Sequence, residues 1–158
     1  VAGLRREEIA GLAVGDYDGG RRQMIVHGKR NKIRNVPIET GLAGAIADWL
    51  ELRGDQPGPL LCPVRKNGAI VDAGITPAAV YKALQRRAAE AGVKPFSPHD
   101  LRRTFAGDLL DAGADIATVQ KLMGHANVAT TAGYDRRGER AKQAAVGWLH
   151  MAWRRRGK

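Results

Sequence analysis

The chain has 158 residues, 44% of them hydrophobic, enough for one domain with a real core and too many for a disordered segment. Its 26 lysines and arginines against 16 acids give a net charge of +10, which makes a polyanion the expected partner and nucleic acid the first candidate. A ribosomal-type or merely solubilising basic surface is the alternative.

The single cysteine, Cys62, excludes an internal disulfide and fits a reducing cytoplasm. The sequence has no signal peptide and no apolar run near the roughly 18 residues of a membrane helix. It starts at Val1 with residues that read as the inside of an element, as expected of a piece whose upstream part is missing.

Taken in chain order, "LRREEIAGLAV" places Leu4, Ile9 and Leu12 near one face, which predicts a helix ending near Gly15. "DYDGG", Asp16 to Gly20, predicts a turn. "RQMIVHG" and "NVPI" predict two antiparallel strands around the polar bend "KRNKIR". Thr40 to Gly54 has a threonine start and a glycine stop and predicts a helix. "GPLLCPV" is expected to hold a short buried strand with Cys62 as a small core residue, and "RKNGAIVDAG" a loop or hairpin.

Thr76 to Gly92 has a threonine N-cap, Pro77 at the first helical position and Val80, Ala83, Leu84 and Ala88 at helical spacing. Ser97 to Gly113 repeats that grammar. "DIATVQKLMGH" predicts a shorter helix capped by Asp115, and "NVATTAGY" one more helical turn or a loop. Residues 136–158, through "AAVGWLHMAWRRR", predict a C-terminal helix with a basic tail. The expected fold class is mainly α with a small antiparallel β-sheet (α+β).

Four stretches bear chemistry. In "SPHDLRRTF", His99 and Arg102 are three apart in the first turn of a helix, where free N–H groups and the helix dipole favour an anion. The bland reading is a solvated helix start. In "GHANVATTAGY", Gly124 suits a left-handed C-cap, which would hold His125 in a turn, and Tyr134 follows nine residues later. A lone histidine or tyrosine is more often structural. Arg5 and Arg6 open the first helix beside Glu7 and Glu8, an arrangement usual for surface ion pairs. Lys29, Arg30, Lys32 and Arg34 crowd the hairpin bend, either as edge protection or as a basic finger entering a DNA groove.

In this order the stretches "GLRREEIAGL", "GKRNKIRNVPI", "SPHDLRRTFAGDLLDAGADIATVQKLMGHANVATT" and "GY" resemble the catalytic domain of tyrosine recombinases, the phage-integrase and Xer-type enzymes. The family signature of Arg, Lys, His-x-x-Arg, His and Tyr falls on Arg5, Lys29, His99 with Arg102, His125 and Tyr134. The resemblance covers nearly the whole chain. It implies that residues 1–158 are a catalytic domain lacking the upstream DNA-clamping domain and the helix that normally precedes "GLR". A family tryptophan after the first arginine is replaced, with Val14 where an aromatic often sits.

The implied reaction breaks and rejoins DNA through a 3′-phosphotyrosine. Tyr134 is the nucleophile, Arg5 and Arg102 grip the phosphate, and His99 takes the tyrosine proton. Lys29 protonates the departing 5′-oxygen, and His125 donates a hydrogen bond. Permanently charged arginines suit that grip, and no metal or other cofactor is implied. Lys29, Arg30, Lys32, Arg34 and Arg103 are the expected DNA contacts. Glu8 is read as an orienting partner of Arg5 or a structural ion pair. Lys32 is the competitor for the lysine role.

The implied partners are double-stranded DNA and three further copies in a tetramer on DNA, with a monomer in isolation and no membrane. The C-terminal helix docks either on a neighbouring subunit or on its own domain. A type IB topoisomerase-like enzyme and an inactive DNA-binding module are the alternatives.

Overall fold

Strand alternation in "QMIVH" decides where the sheet buries its face. In β2, Gln23–His27, Met24 and Val26 are buried while Ile25 and His27 face outward. β2 pairs antiparallel with β3, Ile33–Pro37, in the register Met24 to Val36 and Val26 to Arg34. A third strand, β1, Tyr17–Asp18, joins the other edge of β2. These elements belong to a computed structural model that describes residues 2–29 and 32–124, with positions 133, 135, 138 and 146.

Five α-helices surround the sheet within the described residues: α1, Arg6–Ala10; α2, Thr40–Arg53; α3, Pro77–Glu90; α4, Pro98–Asp111; and α5, Ile116–Met123. Three of their starts follow the expected grammar. Thr76 accepts from the Ala79 N–H, Ser97 from the Asp100 N–H and Asp115 from the Thr118 N–H. The α2 cap differs: the Glu39 carboxylate, not Thr40, takes the Gly41 and Leu42 N–H groups.

Other expectations need correction. α1 stops at Ala10, short of Gly15, because the chain beyond it bonds to a distant segment. Leu60 N–H donates to the Leu12 carbonyl at 2.7 Å and Val14 N–H to the Gly58 carbonyl at 2.9 Å. Those bonds use the short buried strand expected around Leu60, which is an isolated bridge from Ala13 to Pro59. Tyr17 and Asp18 are strand, not turn, and Ile33 and Arg34 belong to β3, not to the bend. "RKNGAIVDAG" closes as a small hairpin bridged from Val64 to Ile70.

The core has two lobes. Leu12, Met24, Val26, Val36, Ile38 and Leu60 form one between the sheet and α2. Ala106, Leu110, Val119 and Met123 form the other between α4 and α5. Cys62 is buried as a free thiol, as its apolar surroundings predict. Contacts between α5 and β3 join the lobes, α3 packs against α1, and the charged side chains below lie at the α5–β3 seam. Among the described residues no helix is long and apolar enough to cross a membrane.

Candidate active site

The site is organised around one carboxylate. Glu8 stands at the third position of α1 and reaches back to the Arg5 backbone N–H at 2.8 Å, the return half of a capping box. The same carboxylate accepts from Arg5 Nη1 at 2.8 Å and from Arg34 Nη1 and Nη2 at 2.8 Å each. A carboxylate has about four lone-pair positions, and here all four are taken. Burial pushes the Glu8 pKa up, but bonds from Arg34, the Arg5 backbone and the Arg5 side chain outweigh it and hold the group at about 2.

The C-terminal end of α5 supplies the second organising feature. The last carbonyls of a helix lack intrahelical partners and carry the negative end of its dipole. Here three successive ones each accept from a different arginine. Arg34 Nε donates to Leu122 O at 2.9 Å, Arg102 Nη2 to Met123 O at 2.9 Å and Arg5 Nη2 to Gly124 O at 3.0 Å. Arg102 also donates to Gly3 O, two residues before Arg5. Residues far apart in the sequence are thereby fixed beside one helix end.

Two glycines make this possible. Gly124 adopts φ +62° as the C-cap, and a Cβ there would lie 2.9 Å from Arg34 Nη1. Gly3 adopts φ +60°, and a Cβ there would lie 2.4 Å from the Phe105 ring. Both conformations disfavour other residues, and both positions lack space for a side chain.

Beside the arginines lies an open cleft of about 820 Å³. Its cationic lining is Arg5, Lys29, Lys32, Arg34 and Lys121, against Glu7 and Glu8. Lys29 and Lys32 are exposed at the end of the hairpin, and Gly28 N–H donates to the Lys32 carbonyl at 2.7 Å to close it. His99 and Arg103 are exposed on α4, while Arg102 is 5% exposed. The capping box of Ser97 and Asp100 fixes the turn that carries His99, and the Ser97 hydroxyl and N–H hold the Asp100 carboxyl below its usual range.

The structure therefore brings Arg5, Arg102 and Lys29 to one region and places His99 one helical turn before Arg102. Neither His99 nor Arg102 is part of the cleft wall formed by the described residues, and Arg102 lines a separate apolar cavity. Arg34, an expected DNA contact, lines the cleft with three of its five N–H donors serving Glu8 and Leu122 and its side chain 14% exposed. Arg30, His125 and Tyr134 lie outside the described residues, as does nearly all of 136–158. Sequence reasoning missed Arg34 as a partner of Glu8, and Lys121 as part of the cleft. Arg34 carried a signal, since it lies two residues before the inward Val36 on one strand face. A cleft with fixed arginines and flexible-stemmed lysines is suited to an oxyanion such as a phosphodiester.

Residues 1–140 match the phage integrase family. The chain belongs to that family. Among phage integrase family members, it is 39% identical over 154 residues to the tyrosine recombinase XerC of Chromohalobacter salexigens, covering 95% of this chain and 46% of that protein. It is 39% identical over 138 residues to the tyrosine recombinase XerD of Brucella suis, covering 83% of this chain and 43% of that one. The fold matches the crystal structure of XerA recombinase with a TM-score of 0.73 at 25% identity, over 96% of this chain and 55% of XerA. It also matches XerH site-specific recombinase bound to its difH substrate, with a TM-score of 0.70 at 27% identity, over 95% of this chain and 44% of XerH. The chain thus spans about half the length of the proteins it resembles.

Proposed function

We propose that residues 1–158 are the catalytic domain of a site-specific recombinase that cuts and rejoins double-stranded DNA. The observation that carries this reading is the pairing of Arg5 and Arg102 on the adjacent carbonyls of Gly124 and Met123. It anchors two permanently charged side chains on neighbouring carbonyls, which immediately precede position 125 in the chain. Phosphoryl transfer is largely positioning and charge stabilisation, which such a pair supplies.

In the reaction, the Tyr134 hydroxyl oxygen attacks the scissile phosphorus and the bond to the 5′-oxygen breaks. A 3′-phosphotyrosine and a free 5′-hydroxyl result. His99 takes the tyrosine proton, Lys29 gives one to the leaving oxygen, and His125 hydrogen-bonds a phosphate oxygen. The covalent link keeps the energy of the broken diester, so the 5′-hydroxyl of a second strand can reverse the step. Arg5 and Arg102 stabilise the extra negative charge of the transition state. Lys29, Arg30, Lys32 and Arg103 contact the DNA backbone. Four copies assemble on DNA, and the free chain is monomeric.

Covalent trapping tests the reading. The chain is mixed at low salt with nicked duplexes carrying randomised arms and resolved on a denaturing gel. A DNA adduct that disappears in Tyr134→Phe supports the nucleophile, and strand exchange between two trapped duplexes separates a recombinase from a relaxing topoisomerase. DNA binding without any adduct leaves a binding module instead.

A further inference from the structure

Arg34 lies in a basic bend by sequence, yet its contacts give it a different task. Its guanidinium joins three segments: β3, which follows the hairpin bearing Lys29; α1, whose N-terminal boundary is Arg5; and the end of α5. From its own strand, a planar guanidinium gives two parallel N–H bonds to the Glu8 carboxylate while its Nε serves the Leu122 carbonyl, a fork that the point charge of an ammonium does not reproduce. The missing side chain at Gly124 leaves the slot in which the fork lies.

We propose that Arg34 is a positioning residue for strand cleavage. Through Glu8 it fixes the Arg5 guanidinium against Gly124 O, and through Leu122 it fixes the end of α5. The phosphate grip and the Lys29 hairpin are thereby held in one register. This role rests on the recombinase reading, in which Arg34 touches no reacting atom. Its removal lowers the rate of cleavage and leaves DNA affinity nearly intact, because the exposed hairpin lysines remain. The lost rate is lost charge stabilisation at phosphorus.

The test compares the parent chain, Arg34→Lys and the double variant Glu8→Gln/Arg34→Gln. Arg34→Lys keeps a cation beside Glu8, and the double variant removes both charges, so neither leaves a buried carboxylate unpaired. The DNA is a nicked duplex enriched for adduct formation by the parent from a pool with randomised arms. It is made with either an ordinary diester or a methylphosphonate at the scissile position, and the methylphosphonate lacks the negative charge that the arginines grip.

On the ordinary duplex, adduct formation falls about tenfold or more in both variants while binding changes by about twofold or less. On the methylphosphonate the deficit shrinks to about threefold, because a neutral phosphorus needs less cationic help. A merely structural role lowers both substrates equally, and that result overturns the proposal. Parent-like cleavage by either variant on the ordinary duplex also overturns it. A parent that forms no Tyr134-dependent adduct on any duplex removes the recombinase reading and this role with it, which is a different outcome from failure of the variants alone.

Discussion

Glu8 and Arg34 meet through two bonds of 2.8 Å each, with side chains only 4% and 14% exposed. Neither residue is near the other in sequence, and the pair ties the start of the chain to the sheet. A surface ion pair is worth little, but breaking a buried one leaves an uncompensated charge. The pair is therefore both the electrostatic centre of the site and a point of fragility.

Acid sensitivity follows from Glu8. Its pKa falls from the ordinary 4.5 to about 2 on folding. A lowered folded-state value means that its stabilisation is complete above pH 4.5 and is lost as pH drops towards 2. The span corresponds to about 3 kcal/mol. Urea unfolding between pH 6 and pH 2 is expected to show this loss in the parent chain (about 4 pH units suffice to bracket it). Glu8→Gln is expected to be less stable than the parent at neutral pH by about 3 kcal/mol and to show a shallower decline across the acid window. Equal slopes for the two proteins would contradict the assignment.

Gly124 is constrained twice, by φ +62° and by the Arg34 guanidinium, which lies 2.9 Å from where a Cβ would stand. The two constraints separate in a pair of variants. Gly124→Ala carries both, whereas Gly124→Asn tolerates the left-handed conformation but still places a Cβ against Arg34. Thermal unfolding is expected to show Gly124→Ala destabilised by about 1–2 kcal/mol beyond Gly124→Asn. Cleavage is expected to fall by a similar factor in both, since both displace Arg34. Full cleavage by Gly124→Asn would show that only the backbone conformation matters.

What was legible in the sequence was local. The caps at Thr76, Ser97 and Asp115 read correctly because each is a bond between a side chain and an N–H three residues on. The end of α1 did not, because the Leu12 carbonyl is claimed by Leu60, and no local signal reports that bond. β1 exists only through its pairing with Gln23 and Met24. At the site, Arg5 and Glu8 could be joined by helical spacing, but Arg34 was grouped by charge with its lysine neighbours. Strand parity with Val36 pointed the other way, and the burial of Glu8 supplied the partner.

The role given to Lys29 has a chemical test that does not depend on its surroundings. A 5′-bridging sulfur leaves as a thiolate, which needs far less protonation than an alkoxide. With the oxygen duplex, Lys29→Ala is expected to form adduct about 100-fold or more slowly than the parent, within the usual range for loss of a general acid. With the sulfur duplex the two are expected to cleave at similar rates. Arg5→Ala serves as the contrast, because a better leaving group does not replace charge stabilisation at phosphorus. If the sulfur leaves Lys29→Ala as slow as before, the lysine is not the acid, and Lys32→Ala is the variant to carry through the same comparison.

The division of the basic hairpin into DNA contacts and a bracing arginine predicts different responses to salt. Each phosphate contact releases counterions on binding, so its loss reduces the slope of log Kd against log salt by about 0.9. Lys32 is exposed on the cleft, whereas Arg34 is paired inside it. Fluorescence anisotropy with a labelled random-sequence duplex, titrated across a range of potassium chloride concentrations, is expected to give a lower slope for Lys32→Ala. Arg34→Lys keeps the parent slope, because its charge neutralises Glu8 and not a phosphate. A drop in slope for Arg34→Lys of the size seen for Lys32→Ala would place Arg34 on the DNA after all. The Glu8 pair would then be an arrangement of the free protein that opens on binding.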